Sequence, residues 1–229
     1  VSREGFEVCT QIRGCTDGSI YQLPVLVDQT LFKPAAQAVA RQQLAWPLQK
    51  KILLYVGRLE QVKGLPLLIE ALALLVAGSE EWHLVLAGDG SEKASLIERA
   101  QAKQLLPYMT FAGFLNHDSE LVRLLHAADL LLLSSLAEGC PTAVLEAQSC
   151  GLPVVASAVG EVPAIVTHGV DGYLVHDRNP QLFAHMIAAA MDQRERLAAN
   201  SLEACARFNH EQVGNRIFDI LISVGPHGR

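Results

Sequence analysis

The chain has 229 residues, half of them hydrophobic, with 18 basic against 24 acidic side chains and a formal net charge of −6. That length holds one large domain or two small ones, and the acidic balance argues against a general nucleic-acid binder. No apolar run reaches the ~18 residues of a membrane span, so no transmembrane helix is expected. The sequence starts at Val1 without a basic-then-apolar leader. No signal peptide is therefore expected, and the missing initiating Met suggests a fragment or a processed chain. Five cysteines, Cys9, Cys15, Cys140, Cys150 and Cys205, are an odd number without zinc-type spacing. They read as reduced thiols of a cytosolic protein.

Residues 1–22 mix Gly, Cys, Thr and charge with little periodicity and read as a linker or edge segment. One domain is expected over 23–222, with a tail over 223–229. Residues 35–45 read as a helix. From residue 51 strand and helix alternate regularly. Strands are expected over Lys51–Val56, 83–87, 109–114, 129–133, 152–156 and Gly172–Val175. Helices are expected over 65–77, with Pro66 tolerated in the first turn, and over 92–104, 119–127 and 162–168. The closing helices are expected over 179–199 and 211–222. Such alternation implies an α/β, Rossmann-like parallel sheet with helices on both faces.

The apolar run at 129–135 reads as a buried parallel strand. It leads into Glu138-Gly139-Cys140-Pro141-Thr142-Ala143-Val144-Leu145-Glu146 and then a helix stopped by Gly151. Glu138 thus sits in a loop past a strand end, and Pro141 suits the first helical turn. Glu146 lies inside the helix, eight positions on. In open α/β sheets ligands bind at the carboxyl ends of strands, and helix N-termini attract phosphates. A second cluster, Gly57-Arg58 to Lys63-Gly64, places two cations between a strand end and a helix start.

The Glu-x7-Glu phrase in this setting resembles the nucleotide-sugar half of retaining glycosyltransferases of the GT-B fold, family 4, also called group 1. The likeness runs from about Ile52 to about Leu221 in the expected order. It implies one of the two Rossmann-like halves of a GT-B architecture, taking a nucleoside-diphosphate sugar as donor substrate and no cofactor. The family's Gly-Arg-Leu-x3-Lys-Gly phrase is intact, which implies that Arg58 and Lys63 stabilise the departing diphosphate. Physically, a preorganised fork and a point charge suit charge that develops on a leaving oxygen. Glu146, by resemblance, accepts hydrogen bonds from the ribose hydroxyls. Glu138 lies near the donor sugar, either as a nucleophile or in an orienting, electrostatic role. Gly57, Gly139, Cys140, Pro141, Thr142 and Ala143 line the donor site, with Thr142 and Ala143 the better N–H donors because Pro141 has none. Gly88 belongs to a Gly-Asp-Gly turn whose glycine is explained first by positive φ and second by ligand contact. Gly113, Phe114 and Leu115 match a stretch whose backbone brackets the base.

Two departures stand out. Val25 and Leu26 replace the usual Asn-Gly of the family's Pro-Asn-Gly-Val-Asp phrase, although Pro24, Val27, Asp28, Phe32 and Pro34 are kept. Glu161 stands where a second glycine is usual, and Ala164 where glutamate is usual, so a loss of permissive backbone geometry at 161 is expected. No metal constellation is evident, and the eight histidines are scattered.

The resemblance covers only the second GT-B half. The N-terminal, acceptor-binding domain is then the implied partner, with an acceptor glycan or lipid left open. The isolated chain is expected to be inactive alone. Family habit also implies polysaccharide or glycolipid assembly in the cytoplasm, with peripheral association at the inner membrane face. A homodimer through an exposed interdomain face is a further expectation. The alternatives are a stand-alone, non-catalytic nucleotide-sugar-binding subunit, or another GT-B-like enzyme such as a nucleotide-sugar epimerase.

Overall fold

The computed structural model describes residues 25–115 and 117–223, apart from the side chains of residues 117 and 118. The edge segment expected over 1–22, with Cys9 and Cys15, lies outside the described residues, as does all of the tail but Ser223. Among the described residues, six strands form one sheet: β1 (Lys51–Val56), β2 (Trp82–Ala87), β3 (Met109–Gly113), β4 (Leu130–Leu133), β5 (Val154–Ser157) and β6 (Gly172–Val175). Their order is β3-β2-β1-β4-β5-β6, and every pairing is parallel. The order reverses between β1 and β4, which is the switch point where such sheets open a crevice at their carboxyl ends.

Continuous apolar runs, rather than alternation, make these strands, because helices cover both faces. Leu53, Leu54, Leu84, Val85, Leu86, Leu130 to Leu133 and Val154 to Ala156 are all buried. Each such Leu contributes roughly 2 kcal/mol relative to exposure, so the centre of the sheet is also the centre of the core. The helices are α1 (Gln37–Gln43), α2 (Pro66–Gly78), α3 (Lys93–Ala102), α4 (Val122–Ala127), α5 (Thr142–Ser149), α6 (Val162–Ile165), α7 (Pro180–Asp192), α8 (Arg194–Cys205) and α9 (His210–Ser223). Right-handed crossovers put α2 and α3 on one face, where α2 also packs on α7. On the other face α5 packs on α8 and α4 on α1.

The α/β, Rossmann-like fold is the one expected, and the differences are local. The single helix expected over 179–199 is two. Asn179 caps α7 by accepting from the Gln181 and Leu182 amides at 2.8 and 3.1 Å. The chain then leaves helical geometry at Gln193 (φ −112°, ψ 16°). The break lets α7 lie against α2 and α8 against α5, which one straight helix cannot do. Pro141 is the residue before α5, at φ −77° and ψ 89°, not part of its first turn. Residues 25–28 carry no strand; Val27 is buried and its amide donates to the Phe208 carbonyl at 3.2 Å. Among the described residues no helix is long and apolar enough to cross a membrane.

Candidate functional site

A cleft of about 280 Å³ opens at the switch point. Its walls are Val56, Gly57 and Arg58 after β1, then Lys63, Leu121 and Leu133, Glu138 beyond β4, and Cys140, Pro141, Thr142, Ala143 and Glu146 at the start of α5. Two segments separated by two whole βα units thus meet because β1 and β4 are neighbours.

The first wall is made by the β1 to α2 loop. The buried Tyr55 donates its hydroxyl to the Arg58 carbonyl at 2.8 Å, fixing the backbone under the guanidinium. Burial, and after it the Glu138 charge, pushes the Tyr55 phenol up, so it stays a donor. The Leu59 amide donates to the Asp89 carbonyl at 2.9 Å, and the Glu92 amide to the Leu59 carbonyl at 2.8 Å. Residues Gln61–Lys63 make one tight helical turn that Gly64 ends at φ 59° and ψ 28°. The Arg58 side chain is exposed and makes no hydrogen bond or ion pair among the described residues.

The second wall follows β4. Lys63 Nζ meets Glu138 Oε1 at 2.6 Å, with the Glu138 side chain only 7% exposed. The Ser135 hydroxyl donates to the same oxygen. Ser134 donates to the Lys63 carbonyl at 2.9 Å, and the Leu136 amide to the Val62 carbonyl at 2.8 Å. Glu138 is therefore held by two donors on one oxygen, and Lys63 has two further N–H bonds to offer. Glu146 is buried on α5 and also borders a second cavity of about 300 Å³ with Leu26, Val27, Asp28, Leu31, Phe32 and Thr142. At the start of α5 the backbone N–H groups of Thr142 and Ala143 precede the first helical bond, which runs from the Val144 amide to the Pro141 carbonyl at 3.0 Å. Such orphan donors and the helix dipole favour an anion. Burial, then the Glu161 charge, pushes the Cys140 thiol up, so the neutral thiol is the form beside the cleft.

Of the residues singled out in the sequence, the structure brings together Gly57, Arg58, Lys63, Glu138, Cys140, Pro141, Thr142, Ala143 and Glu146. Gly139 links Glu138 to Cys140 and is exposed. Gly88 lies behind the cleft, packed on the Gly57 backbone, and its amide donates to the Gly113 carbonyl at 2.7 Å. Gly113, the exposed Phe114 and the half-buried Leu115 stand at the end of edge strand β3 and do not line the cleft. The expectation about Glu161 is corrected. Its φ of −82° and ψ of −2° are ordinary right-handed values, so a side chain there meets no backbone obstacle. The demand falls on Gly160, at φ +54°, where a Cβ would stand 1.8 Å from the Glu138 carbonyl oxygen. Ala164 is exposed, and its carbonyl accepts from Arg207 at 2.9 Å.

Sequence reasoning missed Ser134, Ser135, Tyr55 and Arg178, which hold the two loops. The serine pair carried a signal, since two hydroxyls directly end an apolar strand. Among the described residues no group of three His, Cys, Asp or Glu side chains gathers as a metal site would require.

The family profile described as "Glycosyl transferases group 1" matches residues 36–207. A D-inositol 3-phosphate glycosyltransferase of Thermobispora bispora is 32% identical over 205 residues, covering 85% of this chain and 48% of that protein. The chain spans about half the length of the curated relatives it matches. Anabaena HepE, in a crystal structure with UDP and glucose, shares 26% identity at a TM-score of 0.84, over 97% of this chain and 61% of its own. The C-terminal domain of the Francisella tularensis group 1 protein LpcC, at 24% identity and a TM-score of 0.69, has the same fold over 78% of this chain and 95% of its own.

Proposed function

This chain belongs to the group 1 glycosyltransferases, and from that premise we propose that residues 23–222 form the donor-binding half of a GT-B enzyme that transfers a sugar with retention. The observation that carries the reading is the cleft at the switch point, with Arg58, Lys63, the α5 start and two glutamates on its walls. A nucleoside diphosphate needs cationic and N–H donors for its phosphates and an acceptor for its ribose diol. Arg58 forks onto phosphate oxygens and Lys63 adds a point charge, both ready before charge builds on the leaving group. Glu146 takes the ribose hydroxyls, since a charged acceptor binds neutral donors strongly. Glu138 is fixed by Lys63 and Ser135 and orients the donor sugar while its charge balances the lysine. HepE is described with UDP and glucose, which makes UDP the first ligand to test.

The half-length match supports a second, acceptor-binding half as partner, and sugar transfer as the work of both. Calorimetric titration of the 229-residue chain with UDP, GDP and ADP tests the reading. One nucleotide is expected to bind, and Arg58→Ala and Glu146→Ala each to weaken it about tenfold, ~1.4 kcal/mol. A folded chain that binds none of the three, or variants that bind as the parent does, would overturn it.

A further inference from the structure

We propose that Arg178 is a positioning residue for the cleft: it clasps the two loops that carry Lys63 and Glu138 and sets their separation. This deepens the donor-site reading and rests on it.

Arg178 lies in the bend between β6 and α7. Strand β6 is the far edge of the sheet, two places from β4. From there the guanidinium reaches back across the sheet end. Its Nη1 donates to the Ser134 carbonyl at 2.9 Å, and its Nη2 to the Gly64 carbonyl at 3.3 Å. Ser134 is fully buried and follows β4; Gly64 directly follows Lys63. One planar fork thus bridges the loop after β1 and the loop after β4. A lysine is a point donor without that fixed two-carbonyl geometry.

The convergence is tight. Gly64 is left-handed at φ +59°, and a Cβ there would lie 2.4 Å from the Ser134 oxygen and 2.5 Å from Arg178 Nη2. Ser134 in turn donates its hydroxyl to the Lys63 carbonyl. The backbone on which Lys63 stands is therefore held from both sides, and Glu138 meets the lysine at 2.6 Å across the same junction. Asn179, next in sequence, caps α7 and fixes the arginine's own backbone. Other arginines also donate to carbonyls, Arg207 to Ala164 and Arg196 to Gly169, but those loops lie away from the cleft. Arg178 itself does not line the cleft, so its effect on a ligand passes through Lys63 and Glu138.

UDP titration of the full 229-residue chain tests this with Arg178→Ala, Lys63→Ala, their double variant, Arg178→Lys and Arg58→Ala. Arg178→Ala is expected to weaken UDP by about three- to tenfold and Arg178→Lys by less. The double variant is expected to lose clearly less than the product of the two single losses, because the arginine acts in part through the lysine. Hydrogen exchange without ligand should quicken at residues 62–64 and 134–138 in Arg178→Ala while β1 and β4 stay protected. Losses that simply multiply in the double variant, or an Arg178→Ala that binds UDP as the parent does while Arg58→Ala is weakened, would sink the clasp and leave the donor site standing. A folded parent that binds none of UDP, GDP and ADP, or an Arg58→Ala as tight as the parent, would bring down the donor site and this role together; a parent that takes GDP or ADP instead is titrated with that nucleotide. Should Arg178→Ala fail to fold, Arg178→Lys alone and with Lys63→Ala carries the same comparison.

Discussion

Asp129 precedes β4 and Glu138 follows it, so one strand has a carboxylate beyond each end. At the amino end every acceptor is filled. Asp129 Oδ2 accepts from Arg41 at 2.6 Å and from the Ile52 amide at 2.7 Å; Oδ1 accepts from Gln37 and Arg194, each at 3.1 Å. Arg41 is nearly as complete, with three more of its five N–H groups on the carbonyls of Ala127, Leu48 and Lys50. At the carboxyl end Glu138 has its donors on one oxygen, Lys63 keeps spare N–H groups, and Arg58 stands exposed. The same chemistry of carboxylate and cation is closed at one end and open at the other. Closure ties α1, β1, β4 and α8 together; openness leaves charge available to a ligand.

The largest way to break that contrast is Asp129→Ala. It leaves Arg41 buried without its counter-charge, and a loss of about 3–5 kcal/mol in chemical denaturation is expected. UDP affinity of the remaining folded protein should hardly change. Gly160→Ala attacks the open end through its backbone. The methyl group must displace the Glu138 carbonyl from 1.8 Å, on top of ~1–2 kcal/mol for a left-handed non-glycine residue. A drop in melting temperature together with weaker UDP binding is expected, where Asp129→Ala separates the two. Arg58→Ala sharpens the contrast from the other side. Having no intramolecular partner among the described residues, it should change stability by less than about 0.5 kcal/mol while costing the tenfold in binding already described.

The smallest effect is a pH dependence at the amino end of the sheet, one strand over from the Asp129 cluster. Burial, and then the Lys50 charge, holds His83 on β2 below its ordinary 6.5. The unfolded chain therefore takes up protons that the folded chain refuses, and stability falls as pH drops from about 7 to about 5. Denaturation midpoints at the two pH values should differ for the parent and differ less for His83→Gln.

The fold was legible because its signals are local. Apolar runs bounded by Gly and polar loops marked all six strands to within a few residues. Asn179-Pro180 announced the start of α7, whereas the break at Gln193 has neither Gly nor Pro. It exists because α7 and α8 serve opposite faces, which no short window of sequence expresses. The candidate site was legible where a phrase carries it: Arg58, Lys63, Glu138 and Glu146 belong to two such phrases, and all four line the cleft. Glu161 was misjudged because the position's backbone demand is set by its neighbour Gly160, pressed against the Glu138 carbonyl.

The sequence alone determined that strands and helices alternate, which strand end bears the glutamate loop, and which cations flank it. Those follow from hydrophobic periodicity and from residue types within one loop. Only the tertiary structure decided that Lys63 meets Glu138 from 75 positions away, that Arg178 reaches carbonyls 44 and 114 positions distant, and that Asp129 is sealed by Arg41 from 88. Pairings at such separations depend on which strands become neighbours. That is settled by packing the whole sheet, where β1 lies beside β4 and brings one loop's charges against the other's.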